Sequence, residues 1–201
     1  ALESDQQSFE PGHPSIAIRQ SNLAMVLKDL GDLEGAKTLL SEALKSNQQS
    51  FEPGHPSIAI GQSNLAMVLQ DLGELERAKT LLSEALESDQ QSFEPGHPSI
   101  ARRQSNLAGV LQDLGDFEGA KTLLSEALKS DRQSFEPGHP SIARSQSNLA
   151  MVLKDLGELE AAKTLLMQSY EAFKNLLGED HSSTLTVKRN LQFVEAEIEK
   201  Q

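Results

Sequence analysis

Residues 12–53 read GHPSIAIRQSNLAMVLKDLGDLEGAKTLLSEALKSNQQSFEP, and the segment GHPSIA opens again at Gly54, Gly96 and Gly138. The five histidines His13, His55, His97, His139 and His181 stand 42 residues apart throughout. Residues 54–95 differ from 12–53 at six positions, and residues 96–137 also differ from that first unit at six. A fixed period in this range marks an array of stacked units, because one short unit cannot bury its own apolar face. Identity this high points to recent duplication or to deliberate idealisation of one unit.

Each unit carries two helical patterns. Ile16, Ala17, Leu23, Ala24, Val26, Leu27 and Leu30 recur at spacings of three and four, the mark of one broad helix face rather than of a strand. Pro14 suits the first helical position, where its missing N–H costs nothing, and Gly31 suits the stop, so a helix A is expected over about 14–30. Leu33, Ala36, Leu39, Leu40, Ala43 and Leu44 repeat the pattern behind Asp32, a good N-cap, so a helix B is expected over about 33–50. Phe51, Glu52, Pro53 and Gly54 end it, since proline disfavours helix in the residue before it and glycine tolerates turn geometry. The hinge at Gly31 and Asp32 makes the pair an antiparallel hairpin. Ala24, Ala36 and Ala43 fit the closest approach of the helix backbones, and Leu23, Leu27 and Leu40 fill the space between.

The expected architecture is therefore an all-α solenoid of stacked antiparallel hairpins, one domain with repeats at 12–53, 54–95, 96–137 and 138–179. Residues 1–11, ALESDQQSFEP, match the tail of a helix B, so the chain reads as starting in mid-repeat and is expected to be part of a larger protein. Residues 180–201 read as a capping helix. Met167, Gln168, Ser169 and Tyr170 replace the SEAL of earlier units, and Thr184, Lys188, Arg189, Glu195 and Glu197 give the last helix a polar side that suits water.

Composition narrows the function. Cysteine is absent, which removes disulfides, thiolate metal sites and cysteine nucleophiles. A formal net charge of −12 opposes a phosphate-binding surface, so nucleic acid is not an expected partner. No apolar run approaches the roughly 18–20 residues that span a bilayer, and no basic-then-apolar leader opens the chain, so no membrane partner and an intracellular, cytoplasmic location are expected.

The stretch SNLAMVLKDLGDLEGAKTLLSEAL resembles the tetratricopeptide repeat (TPR) position by position. Leu23, Ala24, Leu27, Gly31, Leu33, Ala36, Leu40 and Ala43 stand where that pattern places its large, small, glycine and alanine residues. Gln20 and Leu27 replace the usual Trp and Tyr, and each unit is about eight residues longer than the common 34-residue repeat, close to one helical turn per arm. GHPSIA and NLA are similar to the 42-residue variant of kinesin light chain and nephrocystin, and LLGEDHSSTLTVKRNL to the TPR tails of fungal NOD-like receptor ATPases. The resemblance implies a right-handed superhelix whose concave groove is lined by helix A and binds a peptide or protein segment, or an assembly scaffold. No ATPase portion lies in these residues.

Near-identical copies make their differences informative. Helix A varies at Ile18, Ile60, Arg102 and Arg144; at Arg19, Gly61, Arg103 and Ser145; at Met25, Met67, Gly109 and Met151; and at Lys28, Gln70, Gln112 and Lys154. The first, third and fourth of these positions share one helix stripe. By the resemblance that stripe faces the groove, with methionine as adaptable apolar contact, arginine and lysine as charge, and Gly109 opening space. Drift on a solvated face is the competing explanation, and it also fits Gly35, Arg77, Gly119 and Ala161 on helix B. Asn22, Asn64, Asn106, Asn148 and Asn190 recur although asparagine is a poor helix former. The resemblance implies that they bond a peptide backbone; a bond to a neighbouring helix would explain them equally.

The protein-binding candidates are thus Ile18, Asn22, Met25, Lys28, Ile60, Asn64, Met67, Gln70, Arg102, Asn106, Gly109, Gln112, Arg144, Asn148, Met151 and Lys154. The histidines, on the order of 10 Å apart in stacked helices, cannot share a metal that needs ligands at about 2 Å. Copies of one residue do not make a catalytic site, which needs unlike groups converging. No enzyme activity, cofactor or metal is expected. The first expectation is a recognition module for a peptide or protein segment; the alternative is a spacer or scaffold, monomeric or weakly stacking end to end.

Overall fold

A computed structural model describes residues 13–200, and the expected partial helix at 1–11 lies outside the described residues. Those residues form nine α-helices and no strand: α1 Pro14–Asp29, α2 Leu33–Ser50, α3 Pro56–Asp71, α4 Leu75–Ser92, α5 Pro98–Asp113, α6 Phe117–Ser134, α7 Pro140–Asp155, α8 Leu159–Leu177 and α9 Ser182–Ile198. The helices divide between two compact units, one ending at Glu94 and the other beginning at Pro95.

Backbone chemistry sets every boundary. Each helix A begins with proline at its first position, and the preceding histidine is the N-cap. Nδ1 of His13, His55, His97 and His181 accepts the N–H of Ser15, Ser57, Ser99 and Ser183 at 3.2 Å, and His139 accepts that of Ser141 at 3.1 Å. From sequence alone these histidines carry no structural role; their place directly before a helix start, with proline following four of the five, was the available signal. The imidazole is held flat against the phenylalanine that ends the preceding helix B: Phe51 on His55 and Phe135 on His139, centroids 3.9 Å apart. Between them the chain makes a tight turn. Gly54 has φ +90° and His55 N–H donates to Glu52 C=O at 3.1 Å, the geometry of a type II turn with Pro53 and Gly54 at its centre.

Helix A ends in a Schellman motif. Gly31 adopts φ +87°, its N–H donates to Lys28 C=O at 3.0 Å, and the Asp32 N–H donates to Leu27 C=O at 2.9 Å, satisfying carbonyls that the helix end would leave open. Helix B then starts in one of two ways. Asp32 and Asp116 cap α2 and α6 by accepting from Gly35 and Gly119 N–H at 3.0 Å. Glu74 and Glu158 make no such bond. A Cβ at Gly35 would lie 2.4 Å from Asp32 Oδ2, so a side chain there makes the capping carboxylate shift from the position it holds. Arg77 and Ala161 follow the non-capping glutamates. The variation at 35, 77, 119 and 161, which sequence alone left to exposure, is therefore coupled to the cap.

In the first unit α1 pairs with α2 and α3 with α4, and α2 packs on α3. Two contacts fix that register: Asn47 Nδ2 donates to Ser57 C=O at 3.2 Å, and Lys37 Nζ meets Glu74 Oε1 at 2.6 Å. The hydrogen bond to Glu74 raises the Lys37 pKa above that of an ordinary lysine, and in return lowers that of Glu74, which Arg77 also contacts. The second unit repeats the plan with α5/α6 and α7/α8, α6 on α7, and Lys121 Nζ 2.6 Å from Glu158 Oε1. Its α9 closes the far side of α8, burying Thr184, Val187 and Val194.

The expected small residues do sit at the helix contacts: Ala24, Ala36, Ala43, Ala66, Ala78 and Ala85 are buried in the first unit, with Leu40 and Leu82 between them. One core assignment differs. Leu23 is 41% exposed, whereas its equivalents Leu65 and Leu149 are 5% and 7% exposed, because α2 and α6 cover α3 and α7.

Candidate protein-interaction site

Helix A leaves its varied stripe accessible. Ile18, Ile60, Arg102 and Arg144 are exposed, and Met25, Met67, Gly109 and Met151 are half-buried. The neighbouring varied position is of another kind. Gly61 and Ser145 are buried; Ser145 Oγ donates to Asp131 Oδ2 at 2.6 Å, and a Cβ on Gly61 would lie 3.3 Å from Leu44 Cδ1. Changes there follow the helix B packed against it, which explains why that position fell off the stripe.

The last position of the stripe is spent partly on structure. Lys28 Nζ meets Asp71 Oδ2 at 2.9 Å, and Gln112 Nε2 donates to Asp155 Oδ2 at 2.5 Å, so each bond ties one helix A to the next within its unit. Lys154 Nζ meets Asp155 Oδ1 at 2.8 Å and lies 5.5 Å from the centroid of the Phe193 ring on α9.

The asparagines are placed differently. Asn22 is exposed and Asn64, Asn106 and Asn148 are half-buried, and none of them makes a side-chain hydrogen bond to another described residue. The neighbouring-helix explanation for their recurrence therefore fails among the described residues. Their donors and acceptors remain open on the surface of helix A.

In the second unit four candidates converge. Arg102 and Asn106 on α5 face Arg144 and Asn148 on α7 across a cavity of about 300 Å³, with Ser105 and Asp131 also in its wall. Neither guanidinium has a hydrogen bond or ion pair with any described residue. Asp131, the one carboxylate in the wall, is already engaged by Ser145. The arrangement is two cations and two amides, without partners among the described residues, around one opening in a chain whose formal charge is −12. The corresponding positions of the first unit are the apolar Ile18 and Ile60. Such a surface can bind, orient and neutralise an anionic, hydrogen-bonding segment; guanidinium takes carboxylate through two parallel bonds and amides take peptide groups.

Stacked, capped helical hairpins with an accessible helix A face define a class of helical-repeat solenoid proteins. The tetratricopeptide repeat family matches residues 15–91, 57–133, 99–175 and 141–191, and the chain belongs to that family. Among solved structures, the nearly identical TPR-like repeats of a kinesin-light-chain-type protein of Podosopora anserina are 26% identical, covering 94% of this chain and 90% of that one with a TM-score of 0.80. BtubC (BKLC) from P. vanneervenii is 21% identical over 90% of this chain and 72% of its own, TM-score 0.78. A Rap protein complexed with competence and sporulation factor is 19% identical over 98% of this chain and 52% of its own, TM-score 0.79. These last two share the fold. No curated protein matches the sequence significantly. The family places the chain among protein-interaction modules, and among the described residues no helix is long and apolar enough to cross a membrane.

Proposed function

We propose that the helix A face binds a peptide or protein segment and that, in the second unit, this segment is acidic. The observation that carries the reading is the cavity between α5 and α7, where Arg102 and Arg144 lack an anionic partner among the described residues, beside the amides of Asn106 and Asn148. Two like charges held near one opening repel each other, and an anionic ligand removes that repulsion while gaining charge-assisted hydrogen bonds. In the first unit the equivalent positions, Ile18 and Ile60, make the helix A face apolar. The Rap protein structure, by its description a complex with competence and sporulation factor, lends the fold a precedent for ligand binding.

The test is titration of a library of acidic and neutral peptides against the chain and against Arg102→Ile with Arg144→Ile. Isoleucine already occupies these positions in α1 and α3, so the fold accommodates it. Acidic hits should weaken by about 1.5–3 kcal/mol per lost charged contact, and neutral hits should not change. Unchanged affinity for every hit ends the proposal.

A second reading, assembly by end-on stacking, has one observation of its own. Val26 and Leu30 of α1 are 54% and 77% exposed, whereas Val68 and Val152 are fully buried. Sedimentation across a wide concentration range decides it, since a strictly monomeric chain excludes that assembly.

A further inference from the structure

Each unit holds another cavity, beside the turn that joins its two hairpins. In the first unit it measures about 290 Å³ and its wall includes Phe51, Ile58 and Gln62, together with Gln48, Glu84 and Ser88. Its counterpart two repeats later measures about 380 Å³. There Phe135, Ile142 and Gln146 repeat the first three residues, while Arg132, Gln168 and Ala172 replace the others.

The three replacements come from two different repeats, yet they meet at one cavity and act in one direction. A cation is added, an anion is removed and a hydroxyl becomes a methyl group. The Arg132 guanidinium has no hydrogen bond or ion pair with a described residue. Ser88 and Ser92 both donate to the Gly54 carbonyl at 3.3 Å in the first unit. Ala172 and Leu176 stand in their places in the second, so the Gly138 carbonyl on the cavity wall lacks both donors. The second cavity therefore offers an apolar wall, one anion-binding group and one open backbone acceptor.

We infer that this cavity binds the C-terminal residue of a peptide bearing an apolar side chain. The side chain lies against Phe135 and Ile142, the α-carboxylate pairs with the Arg132 guanidinium, and the residue's own N–H donates to Gly138 C=O. The volume lies at the small end of ligand pockets, roughly 300–1,000 Å³, and guanidinium is suited to two-point recognition of a carboxylate. The first-unit cavity is a built-in control, because Glu84 repels a carboxylate and serine hydroxyls occupy Gly54. The site shares no residue with the Arg102–Arg144 cavity, so either can fail alone.

N-acetylphenylalanine is the probe, titrated into the full isotopically labelled chain and followed by amide chemical shifts. Shifts should centre on Gly138 and Ile142. N-acetylphenylalanine amide should bind about tenfold more weakly. Arg132→Gln with Gln168→Glu and Ala172→Ser, which copies residues the same fold already holds at 48, 84 and 88, should weaken the acid by at least as much; Arg132→Gln alone serves if the triple variant folds poorly. Equal binding of acid and amide, insensitivity to these variants, shifts centred elsewhere, or no shift at any soluble concentration would each overturn the inference.

Discussion

A histidine before a first-turn proline acts as a short polar acceptor, as serine or aspartate does at other N-caps, but its ring adds a flat apolar surface. His55 uses both: Nδ1 takes the Ser57 N–H and the ring stacks on Phe51. His55→Ala should therefore cost more than a usual cap deletion, about 1 kcal/mol for the cap and about 0.5–1.5 kcal/mol more for the lost ring pair. His55→Asn should recover the first part only. Urea midpoints of the two variants measure the split, and equal losses would mean that the cap contributes nothing. The Asp32–Gly35 pair permits a second test at this scale. Gly35→Ala should gain helix propensity of about 1 kcal/mol but displace the Asp32 carboxylate and lose a cap of similar size, leaving stability nearly unchanged. The same change in an Asp32→Glu background should stabilise, and a double-mutant cycle should return a coupling of at least about 0.5 kcal/mol. The sequence carried Asp32 as a cap but not its dependence on Gly35, because steric coupling across one helical turn involves a distance that spacing does not state.

At the scale of elements, periodicity and punctuation were enough to place helix A and helix B to within a residue, since proline, the Schellman glycine and the Glu-Pro-Gly turn each act on the backbone locally. What periodicity could not supply was the pairing of one element with the next. Lys37 and Glu74 are in different repeats, and only the antiparallel register of α2 on α3 brings them together. The signs of their pKa shifts set where that pair stabilises. Glu74 is lowered on folding, so its contribution is present above the ordinary glutamate pKa and is lost as pH falls through the folded value; Lys37 is raised, so its contribution is present below the ordinary lysine pKa and is lost as pH rises through the folded value. The difference in urea midpoint between the unsubstituted chain and Glu74→Gln should thus be flat across neutral pH and shrink in both acid and strong alkali. Added salt should also reduce it, because the pair is accessible to solvent. A difference independent of pH would show that Glu74 acts by packing. The same limit applied to the site: comparing copies exposed the stripe, but not that Lys28 and Gln112 on it are committed to Asp71 and Asp155.

At the scale of the whole molecule, three nearly identical repeats and a fourth that diverges from Met167 onward are not four equivalent environments. A leucine that faces the previous hairpin owes its burial to that hairpin, and repeat stability is a sum of unit and interface contributions. Within the first unit α2 covers α3, and within the second α6 covers α7, whereas α1 leaves Leu23, Val26 and Leu30 exposed. Sequence identity at Leu23, Leu65 and Leu149 conceals this, because the pattern records which face is apolar and not what lies against it. Leu65→Ala and Leu149→Ala should each cost about 2–5 kcal/mol, the range for buried leucines that leave a cavity. Leu23→Ala should cost under about 1 kcal/mol, as exposed positions do. Leu65 and Leu149 belong to different compact units, so their double variant should be additive within about 0.5 kcal/mol. Chemical denaturation at several protein concentrations checks all three. If Leu23→Ala proves as costly as Leu65→Ala and its cost grows with concentration, another copy of the chain covers α1 in solution; if the cost is large at every concentration, the assignment of α1 as an open face is wrong.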